Sequence, residues 1–158
     1  MTPAAWTLHP IGAIRSPWKT KEQCPIQGAA LQQALGSVEL DPALEPGLTD
    51  IEGFSHLMLL YRFDRAGAIE LVRPTFLDDR PHGIFASRHP CRPNGIGLSI
   101  VELVGREGTV LSVRGIDVLD ATPLLDIKPY IPRFDLFPQA SNGWVEDKGW
   151  RDKPVGRE

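Results

Sequence analysis

Apolar and polar positions along the chain recur mostly with a period of two, in short runs closed by glycine and proline. The most apolar run, Phe54 to Asp64, sets Leu57, Leu59, Tyr61 and Phe63 on one face and Met58 and Leu60 on the other, which predicts a strand buried on both sides. Trp6 to Ile14 alternates in part and predicts a first strand, stopped by Pro17. Ser37 to Leu40 and Ile69 to Arg73 predict two further strands, and Ile84 to Ser87 is a strand-like run that enters a loop. Leu98 to Val104 and Thr109 to Val118 have the shape of a hairpin that turns through Arg106-Glu107-Gly108. Helical pattern is confined to Ala29 to Leu35, bounded by Gly28 and Gly36, and to one turn over Thr49 to Glu52.

Composition supports that picture. The 158 residues are one domain by length, and 15 glycines with 15 prolines suit many short strands and tight turns, so mostly β structure is expected. A formal net charge of -3 offers no global attraction to a polyanion, so nucleic-acid binding would rest on local clusters. Three exist: Arg15, Lys19 and Lys21; Arg80, Arg88 and Arg92; and Lys128 with Arg133. Cys24 and Cys91 stand in no metal-type spacing and are expected as reduced thiols. No stretch approaches the roughly 20 apolar residues of a membrane span, and Met1 to Pro10 lacks the features of a signal peptide, so a cytoplasmic protein is expected.

The chemistry centres on residues 83 to 103. Pro90, Pro93, Asn94, Gly95 and Gly97 forbid continuous helix or sheet, so a stiff loop presents Arg88, His89 and Arg92, and its glycines allow close approach by another body. A long β-turn with solvated arginines is the alternative; a dinucleotide loop fits poorly, because the third glycine is missing and a strand-like run follows. His82 and His89 have no carboxylate or cysteine at ligand spacing, so no metal is expected. The carboxylates Asp117, Asp120 and Asp126 read as turn caps and an Asp126–Lys128 surface pair on spacing alone. His56 reads by itself as a structural histidine, and Lys19 to Gln27 as an exposed loop.

Four motifs, in order, resemble the TsaA-like, or TrmO-type, tRNA (adenine-N6)-methyltransferase family. They are Ile11 to Lys19 with Pro25 and Gln27; Gly53 to Leu57; Arg88, Arg92, Pro93, Asn94, Ile96 and Gly97; and Asp117 to Tyr130. Gly95 stands where a proline is usual and Ala121 where a glycine is usual. The resemblance covers roughly residues 6 to 137. It implies a small closed, mostly antiparallel all-β barrel with short helical turns over residues 1 to 137. The polar stretch that follows, 138 to 158, reads from its own residues as a tail or arm whose Trp144 and Trp150 are expected to dock on the body or on a partner.

The resemblance also implies a homodimer, with S-adenosylmethionine bound near the subunit interface, methylating N6 of threonylcarbamoyladenosine beside the tRNA anticodon. The implied cofactor residues are Thr20, Lys21, Glu22, Gln27, His56, Leu57, Arg88, Leu98, Asp117 and Asp120. Arg88 would hold the methionine carboxylate, and an aspartate a ribose hydroxyl or the amino group. Asp117 and Asp120 are the candidates for the base that takes the nitrogen's proton, and Arg92, Lys128 and Arg133 those for RNA phosphates. A different methyl acceptor and a non-catalytic cofactor-binding module remain open readings.

Overall fold

The computed structural model describes residues 2–25 and 33–149. Six strands close into an antiparallel barrel: β1 (Gly12–Arg15), β2 (Leu35–Leu40), β3 (His56–Arg62), β6 (Ile96–Glu107), β7 (Val110–Arg114) and β8 (Thr122–Pro129), ordered β1-β2-β7-β6-β3-β8 around the wall. Closure leaves this sheet without open edges. Two three-residue strands, β4 (Val72–Pro74) and β5 (Pro81–Gly83), pair outside the barrel. Among the described residues, helical structure amounts to five 3-10 turns and the four-residue α1 (Pro132–Asp135).

Alternation fills the lumen. Ile14, Val38, Leu57, Leu59, Val101, Leu111, Val113 and Leu124 point inward and are buried, with Tyr61 beside them. On β3 the inward face is core, while Met58 and Leu60 on the outer face are half-buried, which corrects the expectation of a strand enclosed on both sides. A one-layer barrel packs each strand on its inner face only.

Other differences have local causes. Trp6 is 89% exposed and the first strand begins only at Gly12, where pairing to Leu40 and Leu124 starts. Ile84 to Ala86 is a 3-10 turn, closed by the Ser87 amide donating to the Ile84 carbonyl. The strand after Gly108 stops at Arg114, because Gly115 takes a positive φ of 87° and the chain leaves the sheet. Gly97 sits opposite Tyr61, and a β-carbon there would lie 2.3 Å from its ring. The body that approaches this glycine is therefore the barrel's own tyrosine, not a ligand. The helical pattern over Ala29 to Leu35 falls largely outside the described residues, and Leu35 begins β2.

Candidate active site

Two loops meet at one end of the barrel. Residues 115 to 121 join β7 to β8, and residues 16 to 25 follow β1. Trp18 Nε1 donates to the Ile116 carbonyl at 2.9 Å, the Asp120 amide donates to the Trp18 carbonyl at 2.8 Å, and Cys24 Sγ donates to the Asp117 carbonyl at 3.0 Å. The turn carrying Thr20, Lys21 and Glu22 is closed by the Gln23 and Cys24 amides on the Thr20 carbonyl. Cys24 is in no disulfide among the described residues.

The two aspartates occupy different environments. Asp120 accepts the Lys19 ammonium and the Ser16 amide, and its own carbonyl is held by Arg65 Nη2 at 2.8 Å. The Lys19 hydrogen bond first, and the Ser16 amide second, hold its carboxyl below the usual carboxylate range. Asp117 accepts instead from the Ser99 hydroxyl. Ser99 Oγ lies 2.9 Å from the Tyr61 hydroxyl, in the buried wall. An ionised carboxylate only accepts, so Ser99 commits its one proton to Asp117 and the tyrosine must donate to Ser99. Burial first, and then the Asp117 charge, push the Tyr61 phenol well above its ordinary value, so it stays a neutral donor at the head of a Tyr61–Ser99–Asp117 relay.

Ala121, directly after Asp120, has φ of 63°. This is the left-handed region, where a β-carbon costs roughly 1–2 kcal/mol, and it explains why glycine suits the position.

The arginine-rich loop holds itself together. Arg92 Nη1 donates to the Ser87 carbonyl at 2.8 Å and to the Ile84 carbonyl at 3.4 Å, and its guanidinium lies 6.0 Å from the Phe85 ring centroid. One guanidinium nitrogen therefore serves its own loop. Arg88 is exposed, and its charge reaches Tyr61. His89 Nδ1 accepts the Cys91 amide at 3.1 Å, which leaves the ring proton on Nε2, a buried atom with no partner among the described residues. Burial first, then the charges of Arg73, Lys21 and Arg92, push this histidine down to about 4. Asn94, with φ of 65°, turns the chain into β6.

His56 and Leu57 stand elsewhere. In the β3–β6 register Tyr61 faces Gly97 and His56 faces Glu102. Five residues of strand separate His56 from Tyr61 by roughly 16 Å. His56 is exposed, its Nδ1 is 2.9 Å from Ser55 Oγ, and Tyr130 meets its ring edge-on at 6.5 Å. Leu57 is wholly buried, so only its backbone is left to meet a ligand. Lys128 and Arg133 follow on the Tyr130 side, and Lys128 is paired with Asp126 at 3.0 Å, as its spacing suggests. Leu98, 41% exposed, lies opposite Leu60 on the outer wall. Gln27 lies outside the described residues.

Within one chain the predicted residues thus do not converge: the Asp117 group lies by Tyr61, and the His56 group at the other end of β3. Tyr61, Ser99, Trp18 and Arg65 were not singled out by sequence reasoning. Tyr61 reads as core, and Ser99 is a lone hydroxyl in an apolar strand whose partner is fixed only by the register. A cavity of about 550 Å³ bordered by Ile11, Leu48, Phe54 and Ile127 is lined by none of the predicted site residues. Among the described residues no group of three metal-ligating side chains converges, and no helix is long and apolar enough to cross a membrane.

Known proteins resemble this chain in sequence and in fold. A probable S-adenosyl-L-methionine-binding protein of Pyrococcus abyssi is 48% identical over 87% of this chain and 75% of its own length. The Escherichia coli tRNA (adenine(37)-N6)-methyltransferase is 34% identical over 90% of this chain and 65% of its own. A crystal structure of TrmO superposes with a TM-score of 0.78 at 42% identity, covering 89% of this chain and 64% of that one. The chain therefore spans a little under two thirds of the latter two. The profile of the tRNA-methyltransferase O N-terminal domain matches residues 13–136, from the second residue of β1 through β8 and α1. The chain belongs to the tRNA-methyltransferase O N-terminal domain family.

Proposed function

We propose that the protein is an S-adenosylmethionine-dependent methyltransferase acting on N6 of threonylcarbamoyladenosine beside a tRNA anticodon. The observation that carries this reading is the Tyr61–Ser99–Asp117 relay, which holds a carboxylate at the loop-covered end of a barrel of this family. The donor set suits the cofactor. Asp117 matches an ammonium or ribose hydroxyl, the exposed Arg88 guanidinium a carboxylate, and the exposed Leu98 an apolar ring face.

S-adenosylmethionine supplies a methyl group already activated on a sulfonium, with a neutral thioether as leaving group. The protein is left with alignment, exclusion of water and one proton transfer. The acceptor nitrogen belongs to a urea and gains a bond to carbon while losing its proton, which Asp117 takes. Asp120 is the poorer base, because Lys19 and Ser16 already stabilise its anion; it ties the two loops together instead.

A homodimer completes the site. The outer wall carries Leu60 and Leu98 opposite each other, with Met58 and Ile100 as the next apolar pair along the two strands. A second copy packed on this face by a two-fold axis would bring its His56 group to the first copy's Asp117 group and so unite the two sets. Lys128 and Arg133 then offer phosphate contacts from the same side as His56. Neutralising both is expected to weaken tRNA binding and make its salt dependence shallower.

The test is methyl transfer from labelled S-adenosylmethionine to tRNA with and without threonylcarbamoyladenosine. Incorporation confined to the modified tRNA is expected. Retained cofactor binding with no incorporation into either would overturn the enzymatic reading in favour of a cofactor-binding module, the activity that the name of the Pyrococcus relative describes.

A further inference from the structure

The segment from Ile84 to Arg92 lies outside the barrel wall and has little regular structure of its own. Its 3-10 turn spans three residues and the adjacent β4–β5 ladder three pairs, both too short to be stable alone. It is held at identifiable points. The Ile84 amide donates to the Leu71 carbonyl at 2.9 Å, the Glu70 amide to the Cys91 carbonyl at 3.0 Å, and Arg92 to two carbonyls of the segment.

A further fastening comes from the C-terminal arm, beyond the region matched by the family profile. Trp144, in the 3-10 turn Gly143–Val145, stacks on the His82 ring at 3.9 Å and 11°, and its Nε1 donates to the Ala86 carbonyl at 2.8 Å. The platform beneath the indole is itself fixed. His82 Nε2 is 3.0 Å from Asp78 Oδ2 in a buried pair, Asp78 Oδ1 accepts the Arg80 amide at 3.0 Å, and Lys148 from the arm reaches Asp78 at 3.4 Å. His82 thus has a carboxylate partner four residues earlier, and that pairing serves the clasp. One indole grips both the strand before the segment and the turn that opens it. Ala86 is two residues from Arg88, and the Arg92 guanidinium donates to the carbonyl of the turn's first residue, Ile84, and to that of Ser87, which follows the turn.

We propose that Trp144 is a positioning residue: by stacking on His82 and donating to the Ala86 carbonyl, it sets the course of the Ile84–Arg92 segment and so aims Arg88 at the anionic end of the cofactor. The link to the cofactor rests on the methyltransferase reading; the clasp itself does not.

The test compares wild type, Trp144→Ala and Trp144→Phe by amide hydrogen exchange and by S-adenosylmethionine binding. Loss of the clasp in Trp144→Ala is expected to speed exchange at Ile84 and Ser87 about tenfold or more, leaving β3 and β6 unchanged. The cofactor dissociation constant is expected to rise about five- to tenfold, with kcat at saturation within about twofold, since Asp117 is untouched. Trp144→Phe keeps the stack and loses the donor, and is expected to fall between the two. Unchanged exchange in Trp144→Ala, or faster exchange spread equally through the barrel strands, would overturn the proposal. A wild-type protein that binds no S-adenosylmethionine would overturn the methyltransferase reading instead, and the exchange comparison would still decide the clasp.

Discussion

The two ends of β3 are built differently. Around Tyr61 the protein is closed and over-determined. A buried phenol, a buried serine and a half-buried aspartate form one relay, and two loops are tied together by Trp18, Lys19 and Cys24. Around His56 it is open: an exposed imidazole touches its neighbouring serine and the edge of Tyr130, with an exposed lysine and arginine beyond. On the proposed function the first end suits a small ligand and chemistry. The second then serves recognition, and because the two ends do not meet within one chain its counterpart is assigned to a second copy.

The sharpest way to break this contrast is at Asp117. Asp117→Asn removes the base and is expected to lower kcat by about 10²- to 10⁴-fold, read by labelled methyl transfer; turnover within about twofold of wild type would show that proton transfer lies elsewhere. Ser99→Ala breaks the relay and leaves the Tyr61 hydroxyl buried without its acceptor. A loss of about 1–3 kcal/mol in chemical denaturation is expected, and an unchanged midpoint would show that the relay does not stabilise the fold.

Gly97→Ala drives a methyl group into the Tyr61 ring, and a loss of about 1–3 kcal/mol is expected from overpacking; full stability would mean that the ring moves aside freely. Ala121→Gly acts in the other direction. Relief of the left-handed conformation is expected to raise stability by about 1 kcal/mol, a gain that thermal unfolding would detect and that a lower midpoint would contradict.

The smallest effect is electrostatic. The folded carboxyl of Asp120 titrates below its unfolded value, so its contribution is present above the ordinary aspartate pKa and is lost as pH falls through the lower folded one. Stability of the wild type should therefore fall more on acidification than that of Asp120→Asn. Parallel pH profiles would contradict the Lys19 pairing.

The strands at the centre of the barrel were legible because period-two alternation and glycine or proline punctuation act locally. The β3 run and the β6–β7 hairpin follow directly from them. Closure of the barrel came from the family resemblance, since no local pattern encodes which strands pair. The outer face of β3 misled because Met58 and Leu60 are as apolar as the residues that fill the lumen. Ile84 to Ser87 misled because one buried isoleucine in a 3-10 turn looks like the start of a strand. The carboxylates Asp117 and Asp120 were visible as a motif, but their difference was not. It depends on Ser99, Lys19 and Ser16, residues 18, 101 and 104 positions away, which only the closed barrel brings together. The docking of Trp144 was foreseeable as the burial of an exposed indole, whereas its partners His82 and Ala86 were not.

The central claim, that one working site is assembled from the Asp117 group of one copy and the His56 group of another, is tested most directly by mixing two variants. His56→Ala and Asp117→Asn are each expected to be inactive alone. After joint unfolding and refolding at equal concentrations, half of the dimers carry one of each chain, and each of these has one intact site, so about a quarter of wild-type activity should return. Activity that stays at the level of the separate variants, from a mixture shown to exchange subunits, would contradict the composite site and confine the chemistry to a single protomer.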